Sequence, residues 1–230
     1  KLVGGISTAT PPDFTVTLTG YQVIKFNIDD KAYESASVSY NSLPIMRYAE
    51  VLLNYAEAKA ELGEFSDDIW NKTIKPLRER AGVDGKRPTS ADPYLQQYYG
   101  LSDSDLLEIR RERAIELLLE GFRYDDLMRW HAGELLNKQW YGIYIPAMDT
   151  SYDLNGDGIN DVCVTSGEAG NEPGVTYIIL DNSKYSLVNG TTGRLLYTVV
   201  RNFEEKRYLR PIPKTALNIN PDLGQNYYWR

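Results

Sequence analysis

Apolar and polar positions alternate at two different periods along this chain, and each period predicts its own kind of element. Over residues 106–130, LLEIRRERAIELLLEGFRYDDLMRW, Ile109, Ile115, Leu118, Leu119 and Phe122 share one side of a 3.6-residue period and predict a helix. The charges there recur at helical spacing too. Glu112, Glu116 and Glu120 form a stripe, while Arg110 with Arg113, Glu120 with Arg123 and Asp126 with Arg129 are three apart, at or near pairing distance. Ser102 with Asp105 reads as its capping box, and the helix is expected to run through Gly121, straight or slightly bent, to about Gly133. A helix with one oily side and one dense ionic side is expected to be locked between other elements.

A second helix is predicted over 43–62, capped by Ser42, with Pro44 in its first turn and Gly63 in the left-handed position after its end. Ile45, Ala49, Leu52, Leu53, Ala56 and Ala60 face the core, and the alanines let a neighbouring helix come close. Glu50, Glu57 and Glu61 line another side, and ion pairing with arginines accounts for them better than catalysis does. A third helix is expected from Asp67 to just before Gly82, kinked or split by Pro76, and the pair makes a helical hairpin. Period-two alternation of Phe14, Val16 and Leu18 with threonines, then Gly20 and an apolar run to Phe26, predicts a small β-hairpin. Residues 1–13 read as extended, and 27–42 and 84–101 as loops.

Between 140 and 208 the periodicity fades into Gly, Asn, Asp, Tyr and Thr, with short strands expected at 177–180 and 195–200. A short helix is expected near Lys214, and the aromatics of 227–229 should pack back on the helices. The fold class is therefore mostly α: a helical-hairpin core carrying a loop-rich segment with short β-strands. The divisions are a lead-in at 1–42, a helical core at 43–138, a loop-rich segment at 139–207 and a tail at 208–230.

Composition narrows the function. A net charge of −7 disfavours nucleic acid as a partner. Eighteen tyrosines and four tryptophans supply flat faces with polar edges that suit stacking on sugar rings, although most such rings fill cores. Cys163 is the single cysteine, so no intrachain disulfide forms, and it lies too far along the chain to be an amino-terminal lipid site.

The sharpest local motif is DLNGDGIND at 153–161. Asp153, Asn155, Asp157, Ile159 (through its carbonyl) and Asp161 stand at positions one, three, five, seven and nine of an EF-hand calcium loop, where alternate oxygens converge on a hard cation. Val164 stands where the bidentate glutamate belongs, so Glu168, Asp149 or another carboxylate would have to substitute. The competing reading is a metal-free Asx turn. Candidate ligand platforms are Trp140, Tyr141 and Tyr144, and a second cluster of Tyr94, Tyr98 and Tyr99. No residues are assigned to catalysis: His131 is the single histidine and reads as a helix C-terminal group, and no nucleophile elbow, phosphate loop or zinc ligand set occurs.

Four collinear stretches resemble the SusD/RagB family: LPIMRYAEVLLNYAEAKAELG (43–63), NKTIKPLRERAGV (71–83), IRRERAIELLLEGFRYDDLMRW (109–130) and YLRPIPKTALNINPDLGQNYYW (208–229). The resemblance implies a tetratricopeptide-like helical scaffold and a non-catalytic surface lipoprotein. Such a protein holds an oligosaccharide and passes it to a SusC-like TonB-dependent transporter in the outer membrane. It also implies that these residues are the carboxy-terminal region, with the export signal and lipid site in an amino-terminal half outside this sequence. The alternatives are a helical protein-interaction module without sugar affinity and, behind it, a glycan-cleaving enzyme.

Overall fold

In the computed structural model, which describes residues 11–14, 16–26, 37, 40–181 and 184–229, helices and strands segregate between two units. One unit joins 44–136 with 203–230, and the other joins 1–43 with 137–202. The first carries α1 (Tyr48–Glu61), α2 (Asp67–Lys72), α3 (Ile74–Arg80), α4 (Pro93–Tyr99), α5 (Ser104–Glu116), α6 (Phe122–Arg129) and α7 (Lys214–Ile219). The second carries β1 (Trp140–Ile145), β2 (Ser151–Tyr152), β3 (Val162–Thr165), β4 (Thr176–Ile179), β5 (Tyr185–Leu187) and β6 (Gly193–Tyr197). None of the described helices is long and apolar enough to cross a membrane.

Several expectations change here. The long central helix is broken: α5 ends at Glu116 with Leu117 as its C-cap, and Leu119 (φ 64°) and Gly121 (φ 87°) turn the chain left-handed before α6. The break has a physical reason. On a straight helix Arg113 and Asp126 would lie about 20 Å apart at ~1.5 Å per residue; folded back, they pair at 2.9 Å. Asp103, not Ser102, caps α5 by accepting from the Leu106 N–H. The buried apolar residues of this stretch are Leu107, Ile109 and Leu117, whereas Ile115, Leu118 and Leu119 are exposed.

The first helix starts at Tyr48 instead of residue 43, because Arg47 is extended (φ −121°, ψ 150°), and Ile45 is fully exposed rather than in the core. The second helix of the hairpin does split, but at Thr73. Pro76 then falls in the first turn of α3, where its missing N–H is not needed. The segment 84–101, expected to be a loop, contains α4, which starts at Pro93 and is capped by Asp92.

Ala49, Leu53, Ala56, Trp70, Ile74, Leu77, Ile109 and Leu117 form the apolar centre of the helical unit. Around it lies a layer of buried charge. Arg78 bonds Glu112 and Glu108 beneath the Trp70 ring. Arg113 grips Asp126 through two parallel bonds of 2.9 Å and reaches Asn54 at 2.7 Å. Arg129 holds both oxygens of Glu57, and the Trp130 indole donates to the same carboxylate. Arg47 clamps Glu116 and Glu120, and these hydrogen bonds, the one to Glu120 foremost, push its pKa above the ordinary arginine value. The glutamate stripe and Glu57 are thus ion-paired as expected, with Glu120 taken by Arg47 rather than Arg123. Arg110 is buried without a hydrogen bond at Nε, its guanidinium close to the rings of Trp130 and Tyr99. Burial drives its pKa down.

In the other unit, β1–β6–β5 form one antiparallel sheet. In the second sheet, β3 pairs with β2 antiparallel and with β4 parallel. The segment expected to be mostly irregular therefore holds two sheets. Ile143, Ile145, Val162, Val164, Ile178, Tyr185, Leu187 and Leu195 make their shared core. The strands expected at 177–180 and 195–200 correspond to β4 and β6. The Phe14–Phe26 hairpin does not form among the described residues. The Val16 and Thr17 N–H groups both turn back to the Asp13 carbonyl, and Thr19 bonds the Ile143 N–H through its carbonyl. A Cβ on Gly142 would lie 2.5 Å from that Thr19 carbonyl oxygen, so glycine is required for the crossing. The extended reading of 1–13 and the loop at 27–42 fall largely outside the described residues. Cys163 is buried in β3, where desolvation raises its pKa.

Replacing Arg113 by Leu removes the two-pronged grip on Asp126 and leaves the buried Asp126 and Glu57 carboxylates to share Arg129 alone. A loss of about 3–5 kcal/mol is expected, read as a lowered midpoint in urea unfolding.

Candidate functional site

The two aromatic platforms read from the sequence differ in what they leave open. On β1, Tyr141, Tyr144 and Trp140 are all exposed. Regular strand alternation would put Tyr141 and Tyr144 on opposite faces. A register shift between them, against Leu196 and Arg194 of β6, re-aims the strand, and both tyrosines line one shallow cavity of about 370 Å³. Trp140 does not join them: it stacks on Tyr197 (centroids 6.1 Å apart, 25° between planes), and the Arg201 guanidinium lies 4.2 Å from its ring centre.

The rest of that cavity is Val188, Asn189, Gly193 and Arg194, which the sequence reading missed. They belong to the tight β5–β6 connection. Val188 N–H donates to Arg194 O, Asn189 N–H to Thr192 O, and Gly190 N–H to Leu187 O. The signal was present as Asn189-Gly190 between two apolar runs, the strongest short hairpin cue. The Tyr141 and Tyr144 hydroxyls, the Asn189 amide and the Arg194 guanidinium have no side-chain partner among the described residues. They are free to meet a ligand.

The second platform is built into the helical unit. Tyr94 and Tyr98 stack at 5.8 Å on α4. Tyr98 meets Tyr99 edge-on, and Tyr99 meets Trp130 at 5.9 Å. Arg123 donates to the Tyr99 hydroxyl at 3.1 Å, and burial raises that phenol's pKa. Tyr99 is thus part of the packing around Arg110, and Tyr94 is the exposed member of the three. His131, expected at a helix end, lies two residues past α6, stacks on Tyr208 at 4.0 Å and faces Glu205 at 3.3 Å.

The acidic loop is closed by its own hydrogen bonds. Asp153 accepts from the N–H groups of Asn155, Gly156 and Gly158, and Asp157 from that of Ile159. Asp161 accepts from Leu154 N–H, and its own backbone is tied to Tyr152 and Thr176. Gly156 and Gly158 take positive φ, as the sharp turn needs. Val164 is buried in β3 and supplies no oxygen-bearing side chain. Among the described residues Glu172 reaches the loop, bonding Asn160 at 2.7 Å and Ser151 at 2.6 Å. Among the described residues no three His, Cys, Asp or Glu side chains are gathered as a metal site.

The sequence profile of the SusD family (SusD_RagB) matches residues 4–229. The chain belongs to the SusD family. The SusD-like protein P38 of Formosa agariphila is 33% identical over 97 residues, which are 41% of this chain and 18% of that protein. The crystal structure of a SusD-like protein from Bacteroides fragilis aligns over 92% of this chain and 31% of its own, with a TM-score of 0.54 and 24% identity. The matched part of this SusD-family chain therefore covers less than a third of the length of either relative. At that identity the structural likeness speaks for the fold.

The backbone N–H of Gly158 above all, with those of Gly156 and Asn155, holds the Asp153 carboxyl below its usual value of 3.8. A depressed folded pKa means that the loop's contribution is complete above 3.8 and is lost as pH falls towards the folded value. Amide chemical shifts of Gly156 and Gly158, followed on acidification, are expected to move together with a midpoint under 3.8.

Proposed function

We propose that this SusD-family chain belongs to a cell-surface glycan-capture protein of an outer-membrane uptake system, acting with a SusC-like TonB-dependent transporter and without catalysis. The observation that carries the reading is the cavity on β1 and β6, where two exposed tyrosines brought to one face stand beside an amide and a guanidinium. Aromatic faces with a few convergent polar groups are the chemistry that holds sugar rings. Family membership supports the uptake role, the surface location and an anchor in a preceding region. The α1–α2 hairpin, continued by α3, supports a tetratricopeptide-like scaffold within the helical unit. The buried carboxylates Glu57, Glu108, Glu112 and Asp126 each hold a guanidinium, which favours capture over hydrolysis.

A glycan array on the 230-residue chain, followed by calorimetry on the hits, tests this. At least one polysaccharide class is expected to bind, and Tyr141→Ala with Tyr144→Ala should weaken it about tenfold or more, as loss of stacked aromatic contact does. No binding to any class, or binding indifferent to the double substitution, refutes the assignment of the site. One feature favours a second reading, that of a helical protein-interaction module. Tyr48, Val51, Tyr55 and Leu62 leave an exposed apolar stripe along α1. A silent glycan array would move the weight there.

Calcium uptake by the 153–161 loop is part of the proposal. Its support is the spacing of Asp153, Asn155, Asp157, Ile159 and Asp161 on one closed turn. Binding would draw carboxylates inward from their present N–H partners. Millimolar calcium is expected to raise the melting temperature, and Asp153→Asn with Asp157→Asn should abolish the rise. An unchanged melt in the unsubstituted chain argues for a metal-free turn.

A further inference from the structure

The same cavity points to the kind of sugar it takes, an argument that rests on its being a saccharide site. Most of the buried or half-buried arginines of the helical unit are answered by acid: Arg47 by Glu116 and Glu120, Arg78 by Glu108 and Glu112, Arg87 by Asp105, Arg113 by Asp126. Arg194 is different. It has no ion pair and no side-chain hydrogen bond among the described residues, and no carboxylate lines its cavity. Arg123, Arg201 and Arg210 also lack an ion pair among the described residues, but Arg194 is the exposed guanidinium that shares one cavity with two tyrosines and an amide.

Its placement is fixed by the sheet. Tyr144 of β1 is the direct partner of Arg194 on β6, so the two side chains stand on the same face. Tyr141 reaches that face through the register shift. Below them Gly193 (φ 104°) leaves room for the Asn189 side chain, which would stand only 3.2 Å from any added Cβ. The donors and rings thus sit on a paired hairpin rather than on a free loop, which keeps their geometry constant before a ligand arrives.

From this we infer that the bound saccharide is anionic. Arg194 holds a uronate carboxylate or a sulfate ester, planar guanidinium to oxyanion, while Tyr141 and Tyr144 cover adjoining ring faces and Asn189 serves a hydroxyl. Neutral glycans could use the tyrosines but would leave the guanidinium without its counter-charge.

Calorimetry at low and at about 0.5 M salt tests this with tetragalacturonate, a chondroitin sulfate tetrasaccharide, cellotetraose and xylotetraose. At least one acidic probe is expected to bind more tightly than both neutral ones, and to weaken several-fold at the higher salt. Arg194→Gln should cost that probe about tenfold, the scale of a lost charge-assisted contact, and Arg194→Lys should recover part of it. The exposed position of Arg194 makes both variants safe for folding, and an unchanged melting temperature confirms this. Desulfating the chondroitin probe says which oxyanion is held: lost binding assigns the sulfate ester, retained binding the uronate carboxylate. If neutral probes bind as well as acidic ones and Arg194→Gln changes nothing, the anionic assignment falls while saccharide capture stands. If no acidic probe binds, the assignment falls outright. If an acidic probe binds but Tyr141→Ala with Tyr144→Ala leaves it untouched, the cavity is not the site and both readings fall.

Discussion

Guanidinium–carboxylate pairing inside the helical unit is the constraint on which its architecture turns. Removing an unpaired charge from water costs several kcal/mol, so Glu57, Glu108, Glu112, Asp126, Arg78 and Arg113 can be buried only where each meets its partner. That requirement dictates backbone. It forces the reversal between α5 and α6, because Asp126 must return to Arg113, and it fixes α3 against α5 through Arg78. Apolar contact alone would tolerate small slides of one helix along another. Bidentate pairs with defined angles do not.

This also explains which parts were legible in the sequence. Periodicity marked the helical stretches of α1 to α3 and of α5 and α6 but not α4, and the pairing of Glu57 and the glutamate stripe followed from helical spacing. The interruption at Leu119–Gly121 was not legible, because Gly121 within a strong helical pattern reads as a tolerated glycine. What decides the break is a partner thirteen residues away, and local spacing carries no trace of it. The same blindness hid which face is buried: Ile115 and Leu119 look like core by composition, yet the charged flank turns inward. The cap at Asp103 shifted within the ordinary slack of helix ends, whereas α1 starts well after residue 43 because Arg47 is extended.

In the β unit the failure had another origin. Strands of two to six residues separated by Gly-rich turns give little alternation to read, so two sheets looked mostly like loop. Tyr141 and Tyr144 were picked out as aromatics, but their sharing one face depends on a single extra residue in β1, and Arg194 entered only through strand register. Trp140 and Tyr99 carried the same compositional appeal and turned out to be engaged by their neighbours. Ring chemistry nominates a platform; backbone geometry decides whether its face is free.

The order in which the chain visits its two units has a consequence for biogenesis. Residues 44–136 depend on 203–230: Tyr208 accepts the Gly133 N–H and stacks on His131, and Phe203 packs against Gly133. The strands of the other unit are synthesised in between. A nascent polypeptide therefore exposes a helical body with its closing piece still untranslated, while the sheets can already assemble. Chaperone engagement and protease sensitivity during that interval fall on residues 131–133 just past α6, where Phe203 and Tyr208 later pack.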